Sequence, residues 1–246
     1  MAPILKGERS PVCGRIALVS PPARLARLLD ATLAAGIDPD AHPNWNVGPQ
    51  QRLFAVTLSD GERTLDRYRW GLIPSWAKDP SIANRLFNAR GETVAEKPSF
   101  RSAFAQRPCV IPVDGFYEWD HRAGRQKQPH YFTRLDGQPL LFAGLCEQWH
   151  DPHLERSAPA IQTCTVITTT PSDDMSELHD RMPVVLDTHD VDQWLNVNQY
   201  GPDERALLLR PAPKETLSHH GVDVAVGSVR NNGPELIMPV EPRSLF

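Results

Sequence analysis

Four cysteines are the strongest nucleophiles in this sequence, and their positions divide them into two kinds. Cys109, Cys146 and Cys164 lie in apolar, strand-like runs, where a reduced thiol is the expected state in an intracellular protein. Cys13 stands apart, in the stretch VCGR that follows a short polar segment. No cysteines are spaced as CxxC and no Cys/His ligand motif occurs, so the sequence predicts neither a metal site nor a cofactor.

Glu118 is the first candidate for acid–base chemistry. It lies in DGFYEW between Tyr117 and Trp119, and the alternation of a β-strand would place it on the same face as Phe116. Burial of a carboxylate among aromatic rings raises its pKa, which produces a general acid or base that works near neutral pH. A glutamate at the end of a strand that faces water is the alternative.

Two further stretches carry polar groups that suit a catalytic or anion-binding site. His179 and Arg181 occur in LHDRMPVVL, where His179 would occupy the loop after a short helix. Asn88 and Arg90 occur in LFNARGET, and an amide beside a guanidinium can anchor a phosphate or a carbonyl oxygen. An ordinary capped turn also explains NARGET, and one histidine among nine carries little weight by itself.

Cations alternate with aromatic rings in RYRWGLIPSWAK at residues 67–78. Arg67, Arg69 and Lys78 beside Trp70 and Trp76 are typical of the platforms that bind single-stranded nucleic acid by stacking. Solvent-exposed arginines on a strand whose tryptophans lie in the core are the alternative. Because the net charge is −4, the chain lacks the basic excess of a nucleic-acid module, and any DNA contact must come from a local arginine cluster.

Short elements must position these groups. The 246 residues include 24 prolines, which favour turns and extended segments and disfavour long helices. A helix is predicted from Ser20 to Gly36, a hairpin at RLDGQPLL and a late strand at VDVAVG, among several other short strands. Because strands and helices do not alternate regularly, we predict an α+β fold: a single mixed domain with a curved, mostly antiparallel β-sheet and peripheral short helices.

The hydropathy pattern bears on where the protein acts. No apolar run approaches the roughly 20 residues of a membrane span, and residues 1–12 lack the apolar core of a secretory signal. The sequence therefore predicts a soluble, cytoplasmic protein with no membrane partner.

The order of the motifs is more informative than any one of them. CGR, NVGP, WGLIP, NARGET, FR, VDGFYEW, AGL, ITT and HDRMP follow one another from Cys13 to about Arg230. This order resembles the SRAP family, the SOS-response-associated peptidases, whose members process abasic sites in DNA. The resemblance implies a single domain over residues 13–230 around a barrel-like sheet, followed by a polar tail at residues 231–246. It also implies single-stranded DNA with abasic sites as the partner.

The resemblance assigns roles to particular residues. Matched motif by motif, the catalytic group is Cys13, Asn88, Glu118 and His179, with Cys13 as the nucleophile. With Arg69 and Trp76 of the basic and aromatic stretch included, the predicted DNA contacts are Arg15, Arg69, Trp70, Trp76, Arg90, Arg101 and Arg181. The protein is predicted to be a monomer that is associated with the nucleoid when it is bound to DNA.

One departure from the family concerns the start of the chain. Family members begin Met-Cys-Gly-Arg, lose the methionine, and cross-link to the lesion through the terminal cysteine by lyase-like Schiff-base chemistry that ends in a thiazolidine. Here twelve residues precede Cys13, so its nitrogen is an amide, which cannot form a Schiff base. We therefore predict that residues 1–12, the leader, are absent from the mature protein. Either Val12 is encoded by a GTG start codon, or proteolysis removes the leader; a genuine extension that abolishes cross-linking is the third hypothesis.

Two other functions compete with covalent abasic-site processing. Cys13, His179 and Asn88 resemble the residue set of a cysteine hydrolase, which would act as a peptidase or autopeptidase. A non-covalent binder of single-stranded DNA would need neither a reactive cysteine nor an acid–base glutamate. The terminal amine separates the two chemistries, because a Cys/His peptidase does not require it.

Overall fold

The structure is a computed structural model that describes residues 13–120, 127–155 and 157–240. The predicted leader, residues 1–12, and residues 241–246 of the predicted tail lie outside the described residues. None of the helices in the three described ranges has the length and apolar character to cross a membrane.

Short strands dominate the described part of the chain. The strands are β1 (Ile16–Leu18), β2 (Thr32–Leu33), β3 (Asn44–Val47), β4 (Arg52–Ser59), β5 (Glu62–Trp70), β6 (Asn88–Arg90), β7 (Pro108–Val113), β8 (Gly115–Asp120), β9 (Gln128–Arg134), β10 (Leu140–Trp149), β11 (Ile161–Thr169), β12 (Met182–Pro183), β13 (Val185–Leu186) and β14 (Leu217–Gly221). The α-helices are α1 (Pro22–Leu28), α2 (Arg101–Gln106), α3 (Asp173–Ser176), α4 (Val191–Leu195) and α5 (Pro202–Ala206). Single 3₁₀ turns occur at Pro80–Arg85, Gly91–Thr93, Thr188–Asp190, Val224–Gly227 and Pro234–Ile237.

Five strands close into a barrel. β5, β4, β7, β10 and β11 pair in that order as antiparallel neighbours, and β11 returns to β5 in parallel, with Thr163 opposite Arg69. β6 continues the same edge of β11, with Thr168 opposite Arg90. Barrel closure leaves no free edges on these strands. The predicted α+β fold with a barrel-like, mostly antiparallel sheet is confirmed.

A second sheet packs against the barrel and carries Glu118, on β8. Its strand order is β14-β9-β8-β1-β3. Phe116 of β8 stacks on Phe132 of β9 at 5.0 Å between ring centroids, and meets Phe142 of β10 edge-on at 5.7 Å. The three rings are buried within one large hydrophobic core, so they fix the second sheet against the barrel.

The first helix is shorter than predicted. It ends at Leu28 rather than near Gly36, because Asp30 adopts the left-handed conformation (φ +48°) and Thr32 and Leu33 then pair with β5. The predicted cap is also wrong: the hydroxyl of Ser20 donates to the carboxylate of Asp114 instead of capping the helix.

Candidate active site

Glu118 of β8 is buried next to Cys13, the first residue that the structure describes. Its side chain lies on the same face of the sheet as Phe116, and Glu118 is 2% exposed. The backbone nitrogen of Cys13 donates a hydrogen bond to Oε1 of Glu118. The predicted burial is confirmed, which excludes the alternative of a glutamate that faces water.

Burial controls the acidity of Glu118. Loss of hydration raises its pKa from the ordinary 4.5 to about 8, while hydrogen bonds from the backbone nitrogens of Cys13 and Trp119 oppose the shift. The negative charge of Asp180 raises the pKa further. A carboxyl group with this pKa exchanges protons readily at neutral pH, as a general acid or base must.

His179 faces the other carboxylate oxygen of Glu118. It follows α3 in a tight turn and is 6% exposed, with Nε2 at 4.0 Å from Oε2 of Glu118. Its Nδ1 accepts a hydrogen bond from the backbone nitrogen of Arg181 at 3.1 Å, so the neutral ring carries its proton on Nε2, toward Glu118. Oδ1 of Asp180 lies 3.2 Å from the same Nδ1 and becomes its partner when the ring is protonated.

Cys13 completes the cluster. It is fully buried and adopts φ +45°, which is uncommon for a residue with a Cβ. Burial and the nearby Glu118 raise the pKa of its thiol well above the ordinary value. A cysteine peptidase requires the opposite environment, one that favours the thiolate. The structure therefore offers no support for the cysteine-hydrolase alternative.

Asn88 and Arg90 lie on β6, beside β11. Asn88 is half-buried opposite Val166, and Arg90 is exposed opposite Thr168. Arg181 joins this strand to the histidine turn, since its guanidinium donates to the backbone oxygen of Thr168 at 2.7 Å. The structure thus places Cys13 and His179 on the two oxygens of Glu118, and places Asn88 on β6, beside the strand whose Thr168 binds Arg181.

Two of the predicted DNA-binding arginines, Arg15 and Arg181, each have several protein partners. Arg181 forms a two-pronged salt bridge with Glu92, and Arg15 donates to Oδ1 of Asn46 at 3.0 Å and to the backbone oxygen of Val226 at 3.0 Å. Both arginines therefore hold loops in place around the site. A phosphate contact by either would have to share the guanidinium with these partners.

The two tryptophans of the basic and aromatic stretch have opposite environments. Trp70 is fully buried, and its Nε1 donates to the backbone oxygen of Phe87 at 2.8 Å. The stacking contact predicted for Trp70 is wrong, because neither face of its ring is accessible to a base. Trp76 is 57% exposed and remains a candidate for stacking.

The remaining predicted contacts are accessible. Arg90 and Arg101 are exposed, and Arg101 begins α2. Arg69 is half-buried on β5, with its Nε donating to Oε1 of Gln50 at 2.8 Å. DNA binding by these three arginines stays a prediction.

Sequence reasoning missed two acidic residues that shape the site. Asp180 raises the pKa of Glu118 and lies beside His179; Glu92 binds Arg181, and the pKa of Glu92 is lowered by that hydrogen bond. Asp180 lies in the motif HDRMP and Glu92 lies in NARGET, so their position in these motifs could have indicated that they belong to the site.

One group in the described ranges could offer three metal ligands. Asp187, His189 and Asp190 place ligand atoms within 4.8 Å of one another on a 3₁₀ turn. They are neighbours in sequence at the surface, where such groups are common without an ion.

The fold and the site together define a barrel protein in which a buried carboxyl group accepts a hydrogen bond from the nitrogen of a cysteine and lies 4.0 Å from an imidazole. The family model described as SOS response associated peptidase (SRAP) matches residues 12–229. The chain belongs to the SRAP family, and the predicted resemblance is confirmed.

Curated relatives and solved structures agree with this assignment. The chain is 38% identical over 228 residues to the abasic site processing protein YoqW of Bacillus subtilis, covering 92% of this chain and 99% of the relative. It is 33% identical over 230 residues to the abasic site processing protein HMCES of Gallus gallus, covering 81% of this chain and 67% of the relative. A crystal structure of a protein from Bacteroides thetaiotaomicron superposes with a TM-score of 0.81 at 25% identity, covering 93% of this chain and 100% of the other.

Proposed function

We propose that this protein processes abasic sites in single-stranded DNA by forming a covalent thiazolidine through Cys13, with Cys13 as the N-terminal residue. The observation that carries the proposal is the position of the Cys13 nitrogen, which donates to a buried carboxyl group of raised pKa. The names of the relatives supply the substrate class, since the two relatives described above, at 38% and 33% identity, are abasic site processing proteins.

The start of the matched region supports Cys13 as the terminal residue. The family model begins at Val12, immediately before Cys13. If Val12 is the initiator or the last residue removed, the group that contacts Glu118 is a free amine. A free α-amine has a pKa of about 7.7–8.0, against about 10.4 for lysine, so roughly a tenth of it is unprotonated at pH 7.

The chemistry follows from the two nucleophiles of one residue. The amine attacks the aldehyde carbon of the ring-opened sugar, and the resulting carbinolamine loses water to give an imine. The sulfur then adds to the imine carbon while the thiol proton passes to the nitrogen, which closes a five-membered ring. Because amine and thiol belong to the same residue, the second step needs no further loss of translational freedom.

Glu118 and His179 are proposed to move the protons. As a carboxylate Glu118 accepts a proton from the amine, and as an acid it returns the proton to the hydroxyl that leaves as water. His179, with its Nε2 proton directed toward the site, assists opening of the sugar. Asn88 orients the amine or the sugar oxygens, and Trp76, Arg90 and Arg101 hold the unpaired strand.

The test is denaturing electrophoresis with a single-stranded oligonucleotide whose uracil has been removed by uracil-DNA glycosylase. Protein that begins at Cys13 should give a heat-stable shifted band, whereas Cys13→Ala and protein whose terminal amine is acetylated should not. A shifted band that survives acetylation would contradict the amine mechanism. Equal binding of intact and abasic strands with no covalent band would instead identify a non-covalent binder.

A further inference from the structure

A cleft lined by arginines lies on the outside of the barrel, apart from the Cys13 cluster. Arg52 of β4 and Arg67 and Arg69 of β5 line it together with Gln50 and residues 159–162, and its volume is about 460 Å³. We call this surface the arginine cleft. It concentrates three cations in a protein whose net charge is −4.

The cleft arginines have no carboxylate partner among the residues that the structure describes. No salt bridge in the described part of the chain involves Arg52, Arg67 or Arg69, although other strand arginines such as Arg107 and Arg134 are paired with acidic side chains. Arg52 and Arg69 are directly opposite in the β4–β5 register. Like charges at opposed positions destabilise a sheet, and a bound anion would relieve that repulsion.

Gln50 fixes the orientation of Arg69. Its Oε1 accepts from Nε of Arg69 at 2.8 Å, which leaves the two terminal nitrogens of the guanidinium to face a ligand. Gln50 adopts φ +74° and packs against Gly71, where an added Cβ would lie 2.7 Å from its Nε2. An oriented guanidinium fork matches the geometry of phosphate oxygens.

Two features connect the cleft to the Cys13 cluster. The first is the loop that joins Val47 of β3 to Gln50, since Val47 pairs with Ile16 of β1. Gly48 in this loop lies close to Arg15: a Cβ added at Gly48 would be 3.7 Å from Nε of Arg15. The second connection is β11, which has Arg69 opposite Thr163 and Arg90 opposite Thr168. Five residues of parallel strand span about 17 Å, so β11 places Arg69 of the cleft about 17 Å along the strand from Arg90.

We propose that the arginine cleft binds the phosphodiester backbone of the same DNA strand, several nucleotides to one side of the abasic nucleotide. The proposal rests on the proposed function, because it uses the Cys13 cluster as the position of the lesion. Ile161, which is 37% exposed, and Pro159 add an apolar wall that suits sugar and base faces better than a small inorganic anion.

The experiment measures binding by fluorescence anisotropy with a tetrahydrofuran abasic analogue, which cannot form an imine. Oligonucleotides carry two to ten nucleotides on one side of the lesion, with the 5′ and 3′ sides extended separately. In wild-type protein that begins at Cys13, affinity should rise as one of the two flanks is lengthened and should not rise as the other is. The Arg52→Gln/Arg67→Gln variant should lose that gain, about tenfold, and its slope of log affinity against log salt should fall by about 1.4.

The control variant is Arg24→Gln/Arg27→Gln, which removes the same charge from exposed positions on α1 and should keep the length dependence. Equal thermal unfolding curves establish that both variants fold. Cross-linking of a natural abasic oligonucleotide with two-nucleotide flanks should be the same in all three proteins. If wild type gives no cross-link, the proposed function is refuted. The anisotropy measurement tests the cleft independently of that result. A cleft variant that keeps both the length dependence and the salt slope overturns the proposal.

Discussion

Replacement of Glu118 by glutamine should change how stability depends on pH. In the folded protein the pKa of Glu118 is about 8, raised mainly by burial, against an ordinary value of 4.5. Between these two values the folded state keeps a proton that the unfolded state has released. The free energy of unfolding contributed by this group therefore falls as pH rises from about 4.5 to about 8, and is constant above that.

The magnitude follows from the same two values. A difference of about 3.5 pKa units corresponds to at most about 5 kcal/mol, at about 1.36 kcal/mol per unit. Glutamine has nearly the shape of the protonated acid and does not titrate, so Glu118→Gln should remove this loss. Relative to wild type, the variant should become progressively more stable from pH 5 to pH 9, by several kcal/mol at the upper end.

The assay is urea unfolding of wild type and Glu118→Gln at intervals from pH 4.5 to pH 9, with the full chain used for both so that the Cys13 nitrogen is the same amide. Glu62→Gln, at an exposed position on β5, is the matched control and should follow wild type at every pH. Parallel pH profiles for wild type and Glu118→Gln would refute the argument that Glu118 is a buried acid of raised pKa.

Four other substitutions test the site and its surroundings. In protein that begins at Cys13, Cys13→Ser should give only an imine-level adduct, seen on denaturing gels after borohydride reduction but not without it. His179→Gln should slow cross-linking by roughly 10²-fold or more, the usual contribution of a positioned proton donor, with noncovalent affinity for the tetrahydrofuran analogue unchanged. Trp76→Ala should weaken that affinity by about 1–3 kcal/mol with little change in urea midpoint, whereas Trp70→Ala should lower stability by about 3–5 kcal/mol.

Short-range sequence patterns predicted the placement of Glu118 correctly, but they did not predict how the strands are connected. The alternation in DGFYEW placed Glu118 on the face of Phe116, and the structure confirms it, because alternation is fixed by the strand backbone. The hairpin predicted at RLDGQPLL is wrong, although the turn exists, with Gly137 at φ +72°. β9 pairs with β8 and β14 while β10 enters the barrel, and a local turn signal carries no information about that choice.

Burial was the property that sequence patterns predicted least reliably. Trp70 and Trp76 lie six residues apart in one motif, yet one is buried and the other is mostly exposed, because only Trp70 lies on a barrel strand. The late strand predicted at VDVAVG is a 3₁₀ turn at Val224–Gly227 instead, since its partner position on β9 is taken by β14. Both outcomes depend on tertiary packing, which overrides local propensity.

The residue before Cys13 determines which of two electrostatic states the site adopts. With an amide nitrogen at Cys13, burial raises the pKa of Glu118 to about 8. With Cys13 as the first residue, the same hydrogen-bonded position holds an ammonium group. The ammonium lowers the pKa of Glu118 and the carboxylate raises the pKa of the amine, so the two groups titrate as a pair.

Transfer of one proton from the ammonium to the carboxylate of that pair yields a neutral amine and a carboxylic acid. In the proposed mechanism these are the nucleophile that attacks the aldehyde and the acid that protonates the departing hydroxyl, and a buried environment favours this neutral pair over the charged one. The same geometry would therefore prepare protein that begins at Cys13 for imine formation without a proton from solvent.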